Sequence, residues 1–405
     1  MRNRRRFVQA IGAAGVAAIA GCTSGAFFEV QSSPTSIPSV PENRPNAVYY
    51  PSHLEGMQML GRSGMGNMDG MNGSNGSGGM NGSNDMSGMN DSNSSGGMGT
   101  MGMSGMEGMP VAGDYQFGLM YSYPHRFWNV TGTERSKTAL QDADSMHMMA
   151  SVWEPQSRTI LPDTGMSVEI TQSDDLVSEE AIYPMLSQQM GFHYGANFEL
   201  PGDGTYTATL SVGAMSTRRT GAFQGMFSSP QSVDIEFEYS EQVKNEISFR
   251  VLEERAGTKG AVEPMDMPMM PQAYAPKRGD LPGQIIGEGT SGDARFFITH
   301  VESPPAGVEG KTYLAASART PYNRLVIPAM ALSGTLTRGG RTIFDGELQR
   351  TLDPDLGYHY GAAVESIQSG DELTITVDTP PQTARHEGYE TAFLGEMADM
   401  TLTIP

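Results

Sequence analysis

The chain has 405 residues, with 26 Lys and Arg against 46 Asp and Glu, which gives a formal net charge of −20. A surface this acidic argues against nucleic acid as a partner, because nucleic-acid binding needs a basic stripe. The acid excess suggests a halophilic archaeon, where it keeps a protein hydrated. With one cysteine in the chain, disulfides cannot stabilise the fold, and the length is sufficient for two domains with packed cores.

The N-terminus predicts export. Arg4, Arg5 and Phe7 match the twin-arginine pattern, and the apolar run after them is too short to span a bilayer permanently. That run closes on Cys22, in a setting that resembles a lipoprotein cleavage box. We therefore predict that residues 1–21 are a signal and that a lipid on Cys22 holds the chain on the outer face of the cell membrane. The alternative is an ordinary signal peptide with a chance cysteine.

Residues 22–112 predict a disordered, Met-rich stalk. From 56 to 109 the chain is almost entirely Gly, Met, Ser, Asn and Asp, which cannot bury enough apolar surface to offset chain entropy. Soft-metal capture and sacrificial oxidation both explain thioethers in a segment without a core, and drift of a low-complexity tract is the alternative. The methionines concerned are Met57, Met59, Met65, Met68, Met71, Met80, Met86, Met89, Met98, Met101, Met103, Met106 and Met109.

From residue 113 onward, short runs of alternating apolar and polar residues are separated by Gly, Pro and Asp, as is typical of an all-β sandwich or barrel. We predict two β-sandwich domains in tandem, at 113–256 and 286–405. A Pro- and Met-rich linker is predicted at 257–285, and the same soft-metal argument applies to its methionines. A helix is predicted over Glu241–Glu254, where the apolar period lengthens.

An internal repeat relates the two predicted domains. The phrase Gly191–Ala196 recurs as Gly357–Ala362, at an offset of 166 residues. At this offset, 147–196 and 313–362 are identical at 13 of 50 positions, where chance gives roughly three. We interpret the second domain as a diverged copy of the first.

Four of the seven histidines lie on the repeated frame, and these are His147, His193, His359 and His386. Met149 shares a strand face with His147, and Met185 precedes His193. Imidazole with thioether suits copper, with thioether favouring Cu(I), and imidazole also suits iron. The alternative is that these methionines fill core gaps and the histidines are structural. The sequence contains no recognisable enzyme motif, so we predict no catalytic activity.

The sequence around these histidines resembles the periplasmic iron(II)-transport-associated family, whose members are small immunoglobulin-like sandwiches that bind copper and work beside an iron permease. Met146–Val152 corresponds to the family motif M-H-L-E-A-D-I. Tyr183–Gly195 corresponds to M-P-M-x-A-S-D-G-x-H-Y-G, and Thr217–Thr220 corresponds to G-R-H-x-D. The resemblance implies an immunoglobulin-like fold for both domains, the second being a diverged copy.

The resemblance also implies a ligand set. In the first domain it implies His147, Met185 and His193, with Met149 in place of the family's glutamate and Arg219 in place of its third histidine. In the second domain, the matched positions are Tyr313 and Thr351, while His359 and His386 are kept. Each domain therefore holds a partial set. One hypothesis is that the two domains face each other as an intramolecular pseudo-dimer, and the other is that only the first binds metal.

These observations predict a lipid-anchored metal-binding protein that captures copper or iron outside the cell and passes it to a permease. Its expected partners are the membrane, through the lipid on Cys22, and that permease. A cell-surface adhesion or structural lipoprotein is the alternative from a different class, with the sandwiches as spacers and the histidines packed in cores. A copper-dependent redox enzyme is a third, weaker hypothesis.

Overall fold

A computed structural model describes residues 36–61 and 109–405. The predictions for the signal at 1–21, for Cys22 and for most of the stalk lie outside the described residues. Among the residues that are described, no helix is long and apolar enough to cross a membrane.

Strands are the main regular structure of the described residues, as predicted. The strands up to residue 251 are β1 (His53–Glu55), β2 (Gln58–Met59), β3 (Val111–Ala112), β4 (Tyr115–Ser122), β5 (Phe127–Thr131), β6 (Glu134–Thr138), β7 (Met146–Trp153), β8 (Met166–Gln172), β9 (Asp175–Ala181), β10 (Tyr183–Ser187), β11 (Gly191–Phe198), β12 (Gly204–Val212), β13 (Arg218–Arg219), β14 (Gln231–Tyr239) and β15 (Phe249–Val251). The later strands are β16 (Gln284–Ser291), β17 (Ala294–Val301), β18 (Thr312–Arg319), β19 (Ala331–Arg338), β20 (Arg341–Asp353), β21 (Gly357–Val364), β22 (Glu372–Thr379), β23 (Ala384–Arg385) and β24 (Met400–Thr403).

Helices are few and short. Within 36–61 and 109–405, one α-helix, α1, spans Glu241–Asn245, and 3-10 turns lie at Gly221–Phe223 and Arg278–Asp280. The predicted helix over Glu241–Glu254 is therefore wrong beyond its first turns. The Ser240 hydroxyl caps α1 by accepting a hydrogen bond from the backbone amide of Val243. The chain after α1 forms β15 instead, because β15 pairs with β1 from the segment before the Met-rich tract.

The first region is a sandwich of two sheets. One sheet has the order β2-β4-β7-β11-β10-β23-β5-β6, with β3 at the edge beside β4, and the other has the order β14-β12-β8-β9. In β12, alternate side chains are buried, from Tyr206 to Val212, and they share one core with β4 and β7. Strands β4 and β7 are buried along their whole length, which places any side chain they carry in the interior.

The second region repeats this arrangement with one continuous path, β16-β17-β18-β21-β20-β19-β22-β24. Strand β20 is long enough to serve both halves, since its first part pairs with β19 and its last residues pair with β21. Strands β7 and β18, and likewise β11 and β21, have the same bounds at an offset of 166 residues. The fold class, two all-β sandwiches in tandem, is confirmed, whereas the origin of the second by duplication stays a prediction.

Two short arms are exchanged between the sandwiches. Strand β13, from the first region, pairs in parallel with β20 of the second, where Arg218 lies opposite Thr351. Strand β23, from the second region, pairs in parallel with β10 of the first, where Ala384 lies opposite Met185. Each sandwich therefore includes a short strand from the other region, and residues next to that strand lie in the interior of the sandwich it joins.

The segment at 36–61 corrects the prediction of a disordered stalk over 22–112. Val48 and Tyr49 are almost fully buried, and the Tyr49 amide donates a hydrogen bond to the Gly388 carbonyl. Met57, Met59 and Met109 are buried in the main core, so packing does explain these three thioethers. The segment carries enough apolar side chains to cover the edge of the first sandwich, which the Gly-rich composition after it obscures.

The predicted linker at 257–285 is also packed. Met265, Met267 and Met270 belong to the main core, and a Cβ on Gly118 would collide with the sulfur of Met270. The soft-metal interpretation is therefore wrong for these three thioethers, which fill gaps between the sandwiches as flexible apolar side chains do.

Candidate metal centre

Histidines from both regions converge in the interior of the first sandwich. Ligand atoms of His125, His147 and His386 all lie within 4.8 Å of one another. The Nε2 atom of His193 lies 3.2 Å from the Nε2 of His386. Four imidazoles thus meet in one place, although His386 is contributed by the second region beside β23.

His147 lies on β7 and is held in one orientation by an amide. Its Nδ1 lies 2.7 Å from the Oδ1 of Asn197, which faces it across the β7–β11 pair. Asn197 Nδ2 donates to the His125 carbonyl and to Asp144, which leaves Oδ1 as the acceptor toward the ring. His147 Nδ1 therefore carries the proton, and its Nε2 is a free lone pair.

His193 is fixed in a similar way by its own strand. Its Nδ1 lies 3.0 Å from the Gly191 carbonyl, so Nδ1 donates and Nε2 is unprotonated. The Nε2 of His386 lies 3.2 Å from the Nε2 of His193 and also 3.2 Å from the Sδ of Met185. Met185 lies on β10, directly opposite His193. A proton or a cation is needed between these atoms, because bare lone pairs at such distances repel one another.

A glycine provides the space in which these atoms meet. A Cβ on Gly195 would lie 2.8 Å from the Nε2 of His147 and 3.2 Å from the Sδ of Met185. Two of the converging donors thus approach the same point above the β11 backbone. Any larger residue at 195 would fill that point.

Sequence reasoning missed His125. It follows β4 in the connection to β7, which carries the β5–β6 hairpin and is longer than the corresponding connection between β17 and β18. Since His125 has no partner in the repeat, the repeat could not point to it. Its ring lies 3.8 Å from that of His147, centroid to centroid. The signal that could have pointed to His125 is the β4–β7 connection itself, an insertion without a counterpart in the second region that carries a histidine.

A carboxylate from the N-terminal segment lies beside His125. Glu55 is buried, and its two oxygens lie 2.9 Å from Nε2 of His53 and 3.4 Å from Nδ1 of His125. Burial alone would raise the pKa of Glu55, but the hydrogen bonds with His125 and His53 hold this pKa well below its usual value. A negative charge therefore lies next to the histidine cluster. Sequence reasoning missed this carboxylate, because Glu55 lies next to the low-complexity tract and within the range predicted as a disordered stalk.

The buried imidazoles are kept neutral. Burial lowers the pKa of His193 to about 4 and lowers the pKa values of His147 and His386 well below their ordinary range. A metal binds the neutral form of imidazole, so protons compete weakly here at neutral pH.

The donor set suits a metal ion. In the described part of the chain, the buried Nε2 atoms of His125 and His147 have no hydrogen-bond partner. Such orphaned acceptors are costly in an interior unless a ligand satisfies them. Several imidazole nitrogens and one thioether are the donors that copper prefers. The residues present therefore fit a copper ion better than a hard cation.

An opening leads from the surface to this cluster. It is lined by Glu55, Met57, Met149, Met190 and His386, among others. Met149, predicted as a ligand, thus borders the opening, while His147, Met185, His193 and His386 form the cluster itself. The remaining predicted ligand, His359, lies in the second sandwich and bonds to Tyr313.

The strand register corrects one correspondence. Thr351 and Met185 are equivalent positions, and they lie opposite Arg218 and Ala384 respectively, so Arg218 is equivalent to Ala384. Counting two residues further along each arm makes Thr220 the equivalent of His386. The backbone amides of Thr220 and His386 make the same bond, each 3.1 Å from a leucine carbonyl of the partner strand. Arg219 is therefore not in the position of the third histidine, because the sequence alignment of this motif was shifted by one residue.

Comparisons with known proteins match two separate parts of the chain. Residues 138–241 match the family model described as Fe2+ transport protein, and residues 279–403 match a domain of unknown function, DUF7350. The resemblance stated from the motifs is confirmed for the first of these regions. A search of curated proteins found no match. His147, Met185 and His193 lie within the Fe2+ transport match, while His386 lies within the other.

Solved structures similar to this chain include two copper-bound proteins. One is a glutamate-to-glutamine variant of FetP from uropathogenic Escherichia coli strain F11, 18% identical, with a TM-score of 0.25 over 32% of this chain and 88% of that chain. The other is a methionine-to-isoleucine variant of P19 from Campylobacter jejuni, 16% identical, with a TM-score of 0.23 over 31% of this chain and 90% of that chain.

Proposed function

We propose that this chain is an extracytoplasmic metal-binding protein, tethered by a lipid on Cys22, that captures copper and supports metal uptake at the membrane. The observation that carries this proposal is the convergence of four imidazoles and the Met185 thioether, with the Nε2 atoms of His125 and His147 left without partners. The Fe2+ transport match over 138–241 supports a role in iron uptake.

Copper is favoured over iron as the ion held in the cluster. Thioether sulfur is a soft donor that stabilises Cu(I), whereas Fe(II) prefers sites with carboxylates. The carboxylate of Glu55 is already engaged by His53 and by the Ser122 hydroxyl, which donates to it over 2.8 Å. The ion is therefore expected to sit among His147, His193, His386 and Met185, with His125 at its edge.

We further propose that the two sandwiches act as an intramolecular pseudo-dimer. The exchanged arms β13 and β23 support this proposal, since His386 reaches the first sandwich only through β23. An adhesion protein with packed histidines would have no need to leave imidazole nitrogens unsatisfied. A permease that accepts the ion is the proposed partner at the membrane.

Copper titration of the full chain tests the function. His193→Ala should weaken copper binding by at least about 100-fold, which corresponds to roughly 2.7 kcal/mol. His359→Ala is the matched control, because His359 is equally buried and donates from Nδ1 to the Gly357 carbonyl as His193 does to Gly191. Competition with a Cu(I) chelator, repeated with Cu(II) and Fe(II), gives the affinities. Equal losses in the two variants, or no binding by the wild type, would contradict the proposal.

A further inference from the structure

At the place where the first sandwich has its histidine cluster, the second sandwich has a set of buried residues, here called the second pocket, which a side chain from the first region fills. Its lining residues correspond to those of the cluster at the offset of 166, namely Tyr313 to His147, Thr351 to Met185, His359 to His193 and Gly361 to Gly195. The pocket is as buried as its counterpart, since Tyr313, Thr351 and His359 have no exposed surface.

A positive side chain enters this pocket from the other sandwich. Arg218, on the β13 arm, places its Nη2 2.7 Å from the Tyr313 hydroxyl and 2.7 Å from the Thr351 hydroxyl. The same nitrogen lies 2.9 Å from the Gly361 carbonyl, and Nε lies 3.0 Å from the Thr351 hydroxyl. The guanidinium is thus surrounded by oxygen atoms at the point where the matching atoms of the first sandwich meet.

The hydrogen bonds continue in one direction away from the guanidinium. Arg218 donates to Tyr313, and Tyr313 donates over 3.0 Å to the Nε2 of His359. His359 then donates from Nδ1 to the Gly357 carbonyl, 2.9 Å away. Burial lowers the pKa of His359 to about 4, which keeps Nε2 as an acceptor. The Nε2 lone pair of His359, which is equivalent to that of His193 in the first sandwich, therefore already accepts a hydrogen bond from Tyr313.

The position equivalent to Arg218 differs between the arms. Ala384 occupies it on β23 and packs against Met185 and Phe127, which leaves the middle of the cluster without a side chain from that position. A guanidinium is a permanent cation with fixed donors, and in this geometry it satisfies oxygen acceptors as an ion would satisfy imidazoles.

We propose that the Arg218 guanidinium takes the place of a metal ion in the second sandwich. The second pocket is then a binding site for a guanidinium group that the chain itself supplies, and the protein binds one metal ion rather than two. Arg218 then holds the β13 arm against the second sandwich permanently, whereas the captured ion holds the β23 arm against the first sandwich. The comparison with an ion in the first sandwich rests on the proposed function, but the guanidinium site does not.

Chemical rescue of the metal-free full chain tests the site. Arg218→Ala should lower the melting temperature, and added methylguanidinium chloride, far below denaturing concentrations, should restore part of the loss. Sodium chloride at equal concentration should not. Arg295→Ala removes an arginine that is about half exposed and serves as the control without loss or rescue. An Arg218→Ala protein as stable as the wild type, or one that methylguanidinium does not help more than sodium, would overturn the proposal.

A second measurement does not depend on the folding of that variant. The wild type and His359→Ala should each bind one copper ion per chain. Two ions in the wild type and one in His359→Ala would overturn the proposal even if Arg218→Ala cannot be prepared. A chain that binds no copper, with methylguanidinium rescue intact, would refute the proposed function and leave the guanidinium site standing.

Discussion

The two pockets occupy equivalent places in the two sandwiches but satisfy their polar atoms in opposite ways. In the second, Arg218 donates to Tyr313 and Thr351, and Tyr313 donates to His359, so the network closes within the chain. In the first, the Nε2 atoms of His125 and His147 remain unpaired. Equivalent backbone positions therefore permit a binding centre in both sandwiches, whereas the side chains at a few of these positions decide whether the buried polar atoms are satisfied within the chain.

The largest expected difference concerns the residue that crosses between sandwiches. His386→Ala should lower copper affinity by at least about 100-fold, because a donor 3.2 Å from both His193 and Met185 is removed. Thr220→Ala changes the equivalent residue of the other arm, whose hydroxyl donates over 2.7 Å to Asp353. It should cost about 1 kcal/mol of stability and leave affinity unchanged. Copper competition and urea unfolding of both variants measure this contrast.

The paired glycines should separate binding from stability. Gly195→Ala places a methyl group 2.8 Å from the Nε2 of His147, so copper affinity should fall at least about tenfold. Gly361→Ala brings its methyl group against the Tyr313 hydroxyl and 2.8 Å from the Leu314 carbonyl. It should destabilise the fold by about 1–3 kcal/mol with no change in affinity for the first site. Similar affinity losses in both variants would show that the pockets are not independent.

The amide that orients His147 should have a smaller effect. Asn197→Ala removes the acceptor 2.7 Å from Nδ1, which frees the ring and its tautomer, and copper affinity should fall by about tenfold. Asn197→Asp keeps an acceptor there but brings its second oxygen against the His125 carbonyl and Asp144, so it should recover only part of the affinity. The second sandwich has Ala363 at the corresponding position, as expected where no imidazole needs orienting. If Asn197→Ala binds copper like the wild type, the orientation argument is wrong.

The smallest expected effect is a pH dependence of stability from His359. Because its pKa is about 4 in the folded protein and about 6.5 when unfolded, the unfolded state binds more protons between these values. Its contribution to stability is therefore complete above pH 6.5 or so and is lost as the pH falls toward 4. In His359→Gln, the decrease in the free energy of unfolding between pH 6.5 and pH 4 should be smaller than in the wild type, by at most about 3 kcal/mol. Urea unfolding between neutral pH and pH 4 measures the slope, and an unchanged slope would contradict the assignment.

Much of the architecture could be predicted from the sequence. Alternating apolar residues predicted the two sandwiches, and the repeat around His193 and His359 predicted which strands correspond. The disordered stalk was predicted too broadly, because low-complexity composition beyond residue 61 masked the buried Val48 and Tyr49 before it. The packed methionines of 257–285 were misjudged for a similar reason, since composition does not reveal what covers a segment.

The resemblance to the iron(II)-transport-associated family, which the sequence alone carries, implied three members of the candidate centre: His147, Met185 and His193. Only the tertiary structure decided which donors meet. His386 joins the first sandwich because β23 pairs with β10, and His125 joins it from an insertion with no counterpart in the repeat. The physical reason is that backbone pairing across hundreds of residues sets the separation of donor atoms to within an ångström, and this pairing is invisible to local pattern and spacing.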